Sequence, residues 1–236
     1  MVGLADEGES DDNNTLSSYV VSIHLHGEKS PELKALLGGV STAVADVKSP
    51  PPTVALLKAI AKSDISKMAK VLQSYSFYAG TVKIYFKEKE DPLRLIFSVT
   101  TGKPFLLNEI TIDISGPGLP ADIIPPNIKE TGLKQGARGT ALSIIDGGDN
   151  LLVNLRKLGY PFAEMADRKV VVDYATQMID VTFTLSPGER AVFGKTTITG
   201  LEDVDEEFVR SKIPWKEGWY YDPNLIQKFR NRVSRA

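Results

Sequence analysis

The feature that most narrows what this chain can fold into is an internal repeat. Phe97-Ser98-Val99-Thr100-Thr101-Gly102-Lys103-Pro104-Phe105-Leu106 aligns without a gap on Phe183-Thr184-Leu185-Ser186-Pro187-Gly188-Glu189-Arg190-Ala191-Val192. The offset is 86 positions (188 − 102), and the match continues through Ile110-Thr111-Ile112 against Thr196-Thr197-Ile198. That period is too long for a small solenoid repeat and fits a string of small domains. Each would hold roughly 75–90 residues, a size at which a single core is marginal but workable. A string of similar small domains points to a binding scaffold before it points to an enzyme.

Composition removes several classes. The 236 residues are 25% charged with a formal net charge of −2. A general binder of nucleic acid or anionic membranes needs a strong basic excess, which is absent. With no cysteine, thiol catalysis, zinc–thiolate sites and disulfides are absent too. No apolar run approaches the ~20 residues of a membrane-spanning helix. No basic-then-apolar signal opens the chain. Met1 to Ser18 instead carries Asp6, Glu7, Glu9, Asp11 and Asp12 without a basic residue. It is expected to be a disordered acidic leader, or a start downstream of a removed signal.

The first unit reads as a strand over Tyr19–Leu25 and a turn over Gly27–Pro31. One helix is expected within Pro31–Val47, weakened by Gly38-Gly39, then a break at Pro50-Pro51-Pro52. Thr53 is the expected cap of a second helix, with Leu57, Ala61, Ile65, Met68, Leu72 and Tyr75 on one face. After Tyr75, Phe77, Tyr78 and Gly80 comes a hairpin. Val82, Ile84 and Phe86 alternate with Lys83, Tyr85 and Lys87, and Asp91-Pro92 marks the turn. Leu93, Leu95, Phe97 and Val99 form the inner face of the second strand. Because Ile96 lies on its other face, that strand belongs in the centre of the sheet, with Thr81–Lys87 at an edge.

The second unit restates this order. It has a strand over Phe105–Ile114, a turn at Gly116-Pro117-Gly118 and a Pro-interrupted helical stretch over Ala121–Thr131. A helix capped by Thr140 or Ser143 follows, with Ile144, Leu151, Leu155 and Leu158 apolar. Gly159-Tyr160-Pro161-Phe162 leads into a hairpin of Lys169–Tyr174 and Ile179–Leu185. Its expected buried faces are Val170, Val172 and Tyr174, and Ile179, Val181, Phe183 and Leu185. A third unit begins with a strand over Val192–Thr199, a helix over Asp205–Ile213 and a helix capped by Asp222 with Pro223 in its first turn. Its hairpin does not follow before Ala236, so it reads as truncated. The short linkers Thr101–Phe105 and Pro187–Ala191 imply close articulation.

This strand–helix–helix–strand–strand order resembles the POTRA (polypeptide-transport-associated) domain. Three in tandem look like the periplasmic arm of the BamA/TamA superfamily of outer-membrane assembly proteins, with most similarity to the TamA branch. The carrying residues are Leu158-Gly159-Tyr160-Pro161-Phe162, Ser186-Pro187-Gly188-Glu189-Arg190, Phe193-Gly194 with Thr197-Ile198-Thr199-Gly200, and Ile213-Pro214-Trp215-Lys216-Glu217-Gly218. The first unit departs, because Phe77-Tyr78-Ala79-Gly80 puts glycine after the aromatics. The resemblance implies an α+β class with tandem two-layer domains, each a helix pair on a three-stranded mixed sheet. The limits are a leader at 1–18, domains at 19–102 and 103–189, and the start of a third at 190–236. It further implies a place on the periplasmic side of the bacterial outer membrane, anchored by a C-terminal β-barrel that this sequence does not contain. Its partners would be client outer-membrane or secreted polypeptides and a periplasmic or inner-membrane protein. A general interaction module of a secretion or division protein is the alternative.

Physical reasoning from the sheet leads to binding as well. A small sheet covered on one side leaves edge strands with unpaired backbone groups, where an extended peptide can add. The candidate edges are Thr81, Val82, Lys83, Ile84 and Tyr85 in the first unit and Lys169, Val170, Val171 and Val172 in the second. Lys83 and Lys87 suit either protection of an edge or a docking site. Trp215, Trp219 and Tyr220 are candidate partner contacts, or core of the third unit.

Other motifs point to bland readings. His24 and His26 share a strand face without the third ligand that zinc sites need. Gly136-Ala137-Arg138-Gly139 sits where a KH domain keeps its nucleic-acid clamp, but its surroundings are not basic and a plain helix connection is expected. Asp146-Gly147-Gly148-Asp149 lacks the alternating ligands of a calcium loop. Arg230, Arg232 and Arg235 fit a solvated helix face. No catalytic arrangement, cofactor site or metal site is expected.

Overall fold

The structure, a computed structural model, describes residues 15–116 and 118–234. It divides into two compact units that meet at the Phe105–Leu106 bond. Most of the expected acidic leader, Pro117 of the expected turn, Arg235 and Ala236 lie outside the described residues.

The first unit comprises β1 (Tyr19–His26), α1 (Pro31–Gly39), α2 (Thr42–Ala45), a 3-10 turn (Asp46–Lys48), α3 (Val54–Ser74), β2 (Thr81–Lys87) and β3 (Leu93–Thr100). The sheet order is β1-β3-β2, with β1 parallel and β2 antiparallel to β3. β3 is central, as its pattern requires: Leu93, Leu95, Phe97 and Val99 are buried and Ile96 is half-buried on the opposite face. Leu57, Ala61, Met68 and Leu72 bring one face of α3 into the same core. Thr53 caps α3, its side chain accepting from Leu56 N. Leu16, within the expected leader, is instead packed into this core.

The single helix expected over Pro31–Val47 is two helices. Ser41 restarts the chain as a cap, accepting from Val44 N. Its hydroxyl donates to Asp64 at 2.8 Å, and Ala43 N donates to the same carboxylate oxygen at 2.9 Å. Lys67 Nζ meets the other oxygen at 2.8 Å. Asp64 is fully buried on the helix face expected to be apolar. Burial alone would raise its pKa, but the hydrogen bonds from Lys67, Ala43, Ser41 and Thr42 outweigh that and hold it below its ordinary value. A carboxylate under the start of α2 also meets the positive end of that helix.

The second unit comprises β4 (Leu106–Ile114), α4 (Ile128–Thr131), α5 (Ala141–Lys157), β5 (Glu164–Asp173), β6 (Met178–Ser186), α6 (Glu206–Ser211) and α7 (Pro223–Val233). Its sheet order, β4-β6-β5, repeats the first, with β4 parallel and β5 antiparallel to β6. Thr140 is the cap of α5, accepting from Ser143 N. Gly147 and Gly148 are buried: a Cβ on Gly148 would lie 2.8 Å from Met165 Cε and 3.2 Å from Phe183 Cε1. Gly148 thus lets α5 sit close on the sheet, and Gly147 lets it approach Leu133 and the Thr131 carbonyl.

Three expectations fail here. The helical stretch over Ala121–Thr131 shrinks to the single turn of α4, because Pro125-Pro126 prevent earlier helical hydrogen bonding. Val170 and Tyr174 are exposed, Tyr174 at 60%, because β5 is an edge strand that the helix layer leaves uncovered at this end. Val192–Thr199 forms no strand and makes only an isolated bridge, Val192 with Tyr220. In β1 and β4 the equivalent segment pairs with the last strand of a hairpin, and no such partner is present among the described residues.

The repeat is visible in backbone detail. Phe105 N donates to Ser76 O at 2.8 Å, and Ala191 N donates to Gly159 O at 2.8 Å. Ser76 and Gly159 both have positive φ, 65° and 101°, the left-handed conformation that ends a helix. Serine takes glycine's place in the first unit, which is why its helix exit looked irregular in sequence. The chain at or just before the first position of each repeat is also bridged to the segment before a following helix: Thr15, ahead of β1, to Thr53, Leu106 of β4 to Arg138, and Val192 to Tyr220.

Candidate binding edges

Among the described residues β2 hydrogen-bonds to β3 alone, which leaves its other edge open. Thr81, Lys83 and Tyr85 are exposed, Tyr85 at 52%. Val82, Ile84 and Phe86 are half-buried toward the helix layer. Ile84 and Phe86 form one wall of an open groove of about 360 Å³, with Ala55, Lys58 and Ala59 of α3 on the other. Lys58 Nζ lies 5.8 Å from the Phe86 ring centroid and pairs with Glu88 at 2.7 Å. The edge thus combines unpaired backbone with a shallow apolar margin, the two things an added strand needs.

β5 is the corresponding edge of the second sheet. Lys169, Val170 and Val171 are exposed and Val172 is half-buried. Val170 and Val171 point to opposite faces, since side chains alternate along a strand. Val171 is 46% exposed. A bulge between Met165 and Asp167 shifts the register below this stretch. The sequence-predicted residues therefore fall on two separate edges, one in each unit.

The aromatic cluster divides. The Phe193 and Trp215 rings stack with centroids 4.8 Å apart, Phe229 meets Trp215 edge-on at 5.5 Å, and Trp215 Nε1 donates to Thr196 Oγ1 at 3.2 Å. Trp215 is thus part of a small core in segment 190–234. Trp219 and Tyr220 are exposed. Tyr220 is covered on one face by Arg190, whose guanidinium carbon lies 3.4 Å from the ring centroid. Arg190 also donates to Leu158 O at 3.1 Å, so it clamps the end of α5 against the following segment. Sequence reading passed over this role, because Arg190 was visible only as part of the repeated loop.

The remaining motifs are tied down or dispersed. Gly136 N donates to Leu107 O at 2.7 Å and Leu107 N donates to Ala137 O at 2.8 Å, so the loop at 136–139 is held against β4. His24 and His26 are exposed, and among the described residues no three His, Asp or Glu side chains gather as a metal site. Asp146 and Asp149 are exposed on α5. Sequence reading also overlooked β1 and β4. A central β3 implies two edges per sheet, and the alternation of β2 and β5 marks only one of them.

No family model matches this sequence, and no curated protein matches it. Solved structures do. The chain is similar to BamA POTRA3-5 of Haemophilus influenzae, at 14% identity over 99% of this chain and 89% of that one, with a TM-score of 0.50. It is also similar to POTRA1-3 of the periplasmic domain of Omp85 from Anabaena, at 18% identity over 94% and 85%, with a TM-score of 0.39. The first likeness establishes the fold as that of tandem POTRA domains. Among the described residues no helix is long and apolar enough to cross a membrane.

Proposed function

We propose that this chain is a periplasmic POTRA arm of an outer-membrane assembly protein of the TamA-like kind. Its domains would run over 19–102 and 103–189, with a third beginning at 190. In this reading client or partner polypeptides dock in extended form on Thr81–Tyr85 of β2 and Lys169–Val172 of β5. The observation that carries it is the open edge repeated in both three-stranded sheets, each hydrogen-bonded on one side only among the described residues. Main-chain pairing gives affinity with little sequence selectivity, which suits a receptor for many unfolded clients. Trp219 and Tyr220 would be secondary contacts.

Proline scanning tests this. Of two successive strand residues, one points its N–H away from the sheet. The pairs Ile84→Pro with Tyr85→Pro and Val171→Pro with Val172→Pro therefore each include one variant that spares the ladder. The variant with an unchanged circular dichroism melt is the informative one. It should weaken binding of an unfolded outer-membrane polypeptide several-fold and leave the other unit's binding intact. Full binding by all structurally intact variants would refute docking at these edges.

A further inference from the structure

The other edge of the first sheet carries a separate feature. Among the described residues β1 hydrogen-bonds to β3 only, and its outer edge from Ile23 to His26 borders an open groove of about 600 Å³ reaching to the start of α1. Ile23 and Leu25 supply its apolar lining, and His24, His26, Lys29 and Lys34 its polar rim. Among the described residues no carboxylate lines it. The nearby Glu32 accepts a hydrogen bond from the Tyr75 hydroxyl at 2.9 Å, and neither Lys29 nor Lys34 forms a salt bridge among the described residues. α1 begins here with Ser30 as cap, which adds the positive end of a helix dipole.

The chain itself shows what this kind of edge accepts. Extended backbone bridges antiparallel at matching places three times: Thr15, four residues before β1, with Thr53; Leu106, the first residue of β4, with Arg138; and Val192, in a segment that forms no strand, with Tyr220. Beyond the first of these bridges the β1 edge continues unpaired into the groove. The second unit has a groove of about 620 Å³ at the matching place, between Ile110–Ile112 of β4 and the start of α4. There Lys129 is the one charged lining residue. The groove recurs with the fold, and the cationic rim belongs to the first unit.

We propose that the groove between β1 and α1 is a docking site for an extended acidic peptide, which adds to β1 as a fourth strand with its carboxylates against Lys29 and Lys34. This site is distinct from β2 and does not depend on docking there.

The test uses the full chain and fluorescence anisotropy with a labelled peptide of about ten alternating threonine and glutamate residues, long enough to cover a strand of this length. Its counterpart has lysine at every glutamate. At low salt the acidic peptide should bind about tenfold more tightly, a preference that added salt reduces. The double variant Lys29→Glu, Lys34→Glu should abolish or reverse the preference, whereas Lys70→Glu on α3 should leave it in place. Both sets change exposed side chains, so folding is retained, as a circular dichroism melt checks. Equal binding of the two peptides, or equal sensitivity to Lys70→Glu, would overturn the proposal. So would a large gain in affinity on deleting residues 1–14, which would give the groove to the chain's own acidic leader. Self-association lost in the double variant would assign it to a second copy and overturn the proposal likewise.

Discussion

The two units solve one packing problem in different ways. Each must seat helices on a three-stranded sheet of the same order. The first does so through a buried polar tie, with Asp64 gathering Ser41, Ala43 and Lys67. The second does so by close approach, with Gly147 and Gly148 letting α5 press on Leu133, Met165 and Phe183. The edges differ accordingly. β2 runs beside a helix and shares a groove with it, whereas β5 exposes Val170 and Val171 on both faces. A shared topology thus fixes where the edges lie, and local packing decides what flanks them.

The comparison can be broken most forcefully at Asp64. Asp64→Ala leaves a buried N–H, a hydroxyl and an ammonium group without their partner and should cost about 3 kcal/mol, confined to the first unit. Both tryptophans, Trp215 and Trp219, lie in the second unit. Tryptophan fluorescence therefore reports that unit alone, while far-ultraviolet circular dichroism reports both. In urea the variant should shift the dichroism transition and leave the fluorescence transition in place.

The same carboxylate makes the first unit more acid-sensitive. Its folded pKa is depressed, so its contribution is complete above the ordinary value near 3.8 and is lost as pH falls through the lower folded value. Comparing urea transitions at neutral pH and near the bottom of that range should show the dichroism transition moving more than the fluorescence transition. Asp64→Ala should remove this difference.

In the second unit the matching break is Gly148→Val, which places a branched side chain where a single Cβ already lies 2.8 Å from Met165 Cε. A loss of about 2 kcal/mol is expected from overpacking, read from the fluorescence-detected transition. A smaller pair of changes sharpens the comparison at the helix exits. Gly159→Ser should cost about 1 kcal/mol in the second unit, because it puts a side chain at positive φ. Ser76→Gly should stabilise the first by a similar or smaller amount, since it relieves the same strain and removes a buried hydroxyl with no hydrogen-bond partner. Thermal unfolding of the two variants checks both signs. Smallest is Tyr220→Ala, which removes the Arg190 stack and should cost about 0.5–1 kcal/mol at the junction after α5.

Much of this architecture was legible in the chain. The alternation of Leu93, Leu95, Phe97 and Val99, with Ile96 opposite, placed β3 in the centre, because a central strand is the one buried on both sides. Thr53, Thr140 and Asp222 announced their helices through cap chemistry. What escaped reading depends on neighbours distant in sequence. Asp64 sits at an apolar spacing, and only its partners from 41–43 explain a buried charge. Val170 and Tyr174 alternate correctly, but a helix must cover them before they are buried. Val192–Thr199 has strand composition and lacks a ladder to join. The candidate edges followed from topology, whereas the cationic groove beside β1 needed the turn at Gly27 to bring Lys29 and Lys34 around to the strand.

The central claim is that extended polypeptides dock on the open edges of β2 and β5. The most direct measurement is an amide NMR titration of the full chain with an uncharged, unstructured peptide from an outer-membrane strand. The account predicts shift changes concentrated at Thr81–Lys87 and Lys169–Val172 and greatest at alternate residues, as outward N–H groups acquire partners. Changes confined to the helix faces or spread evenly over both units, with those two strands unmoved, would contradict it.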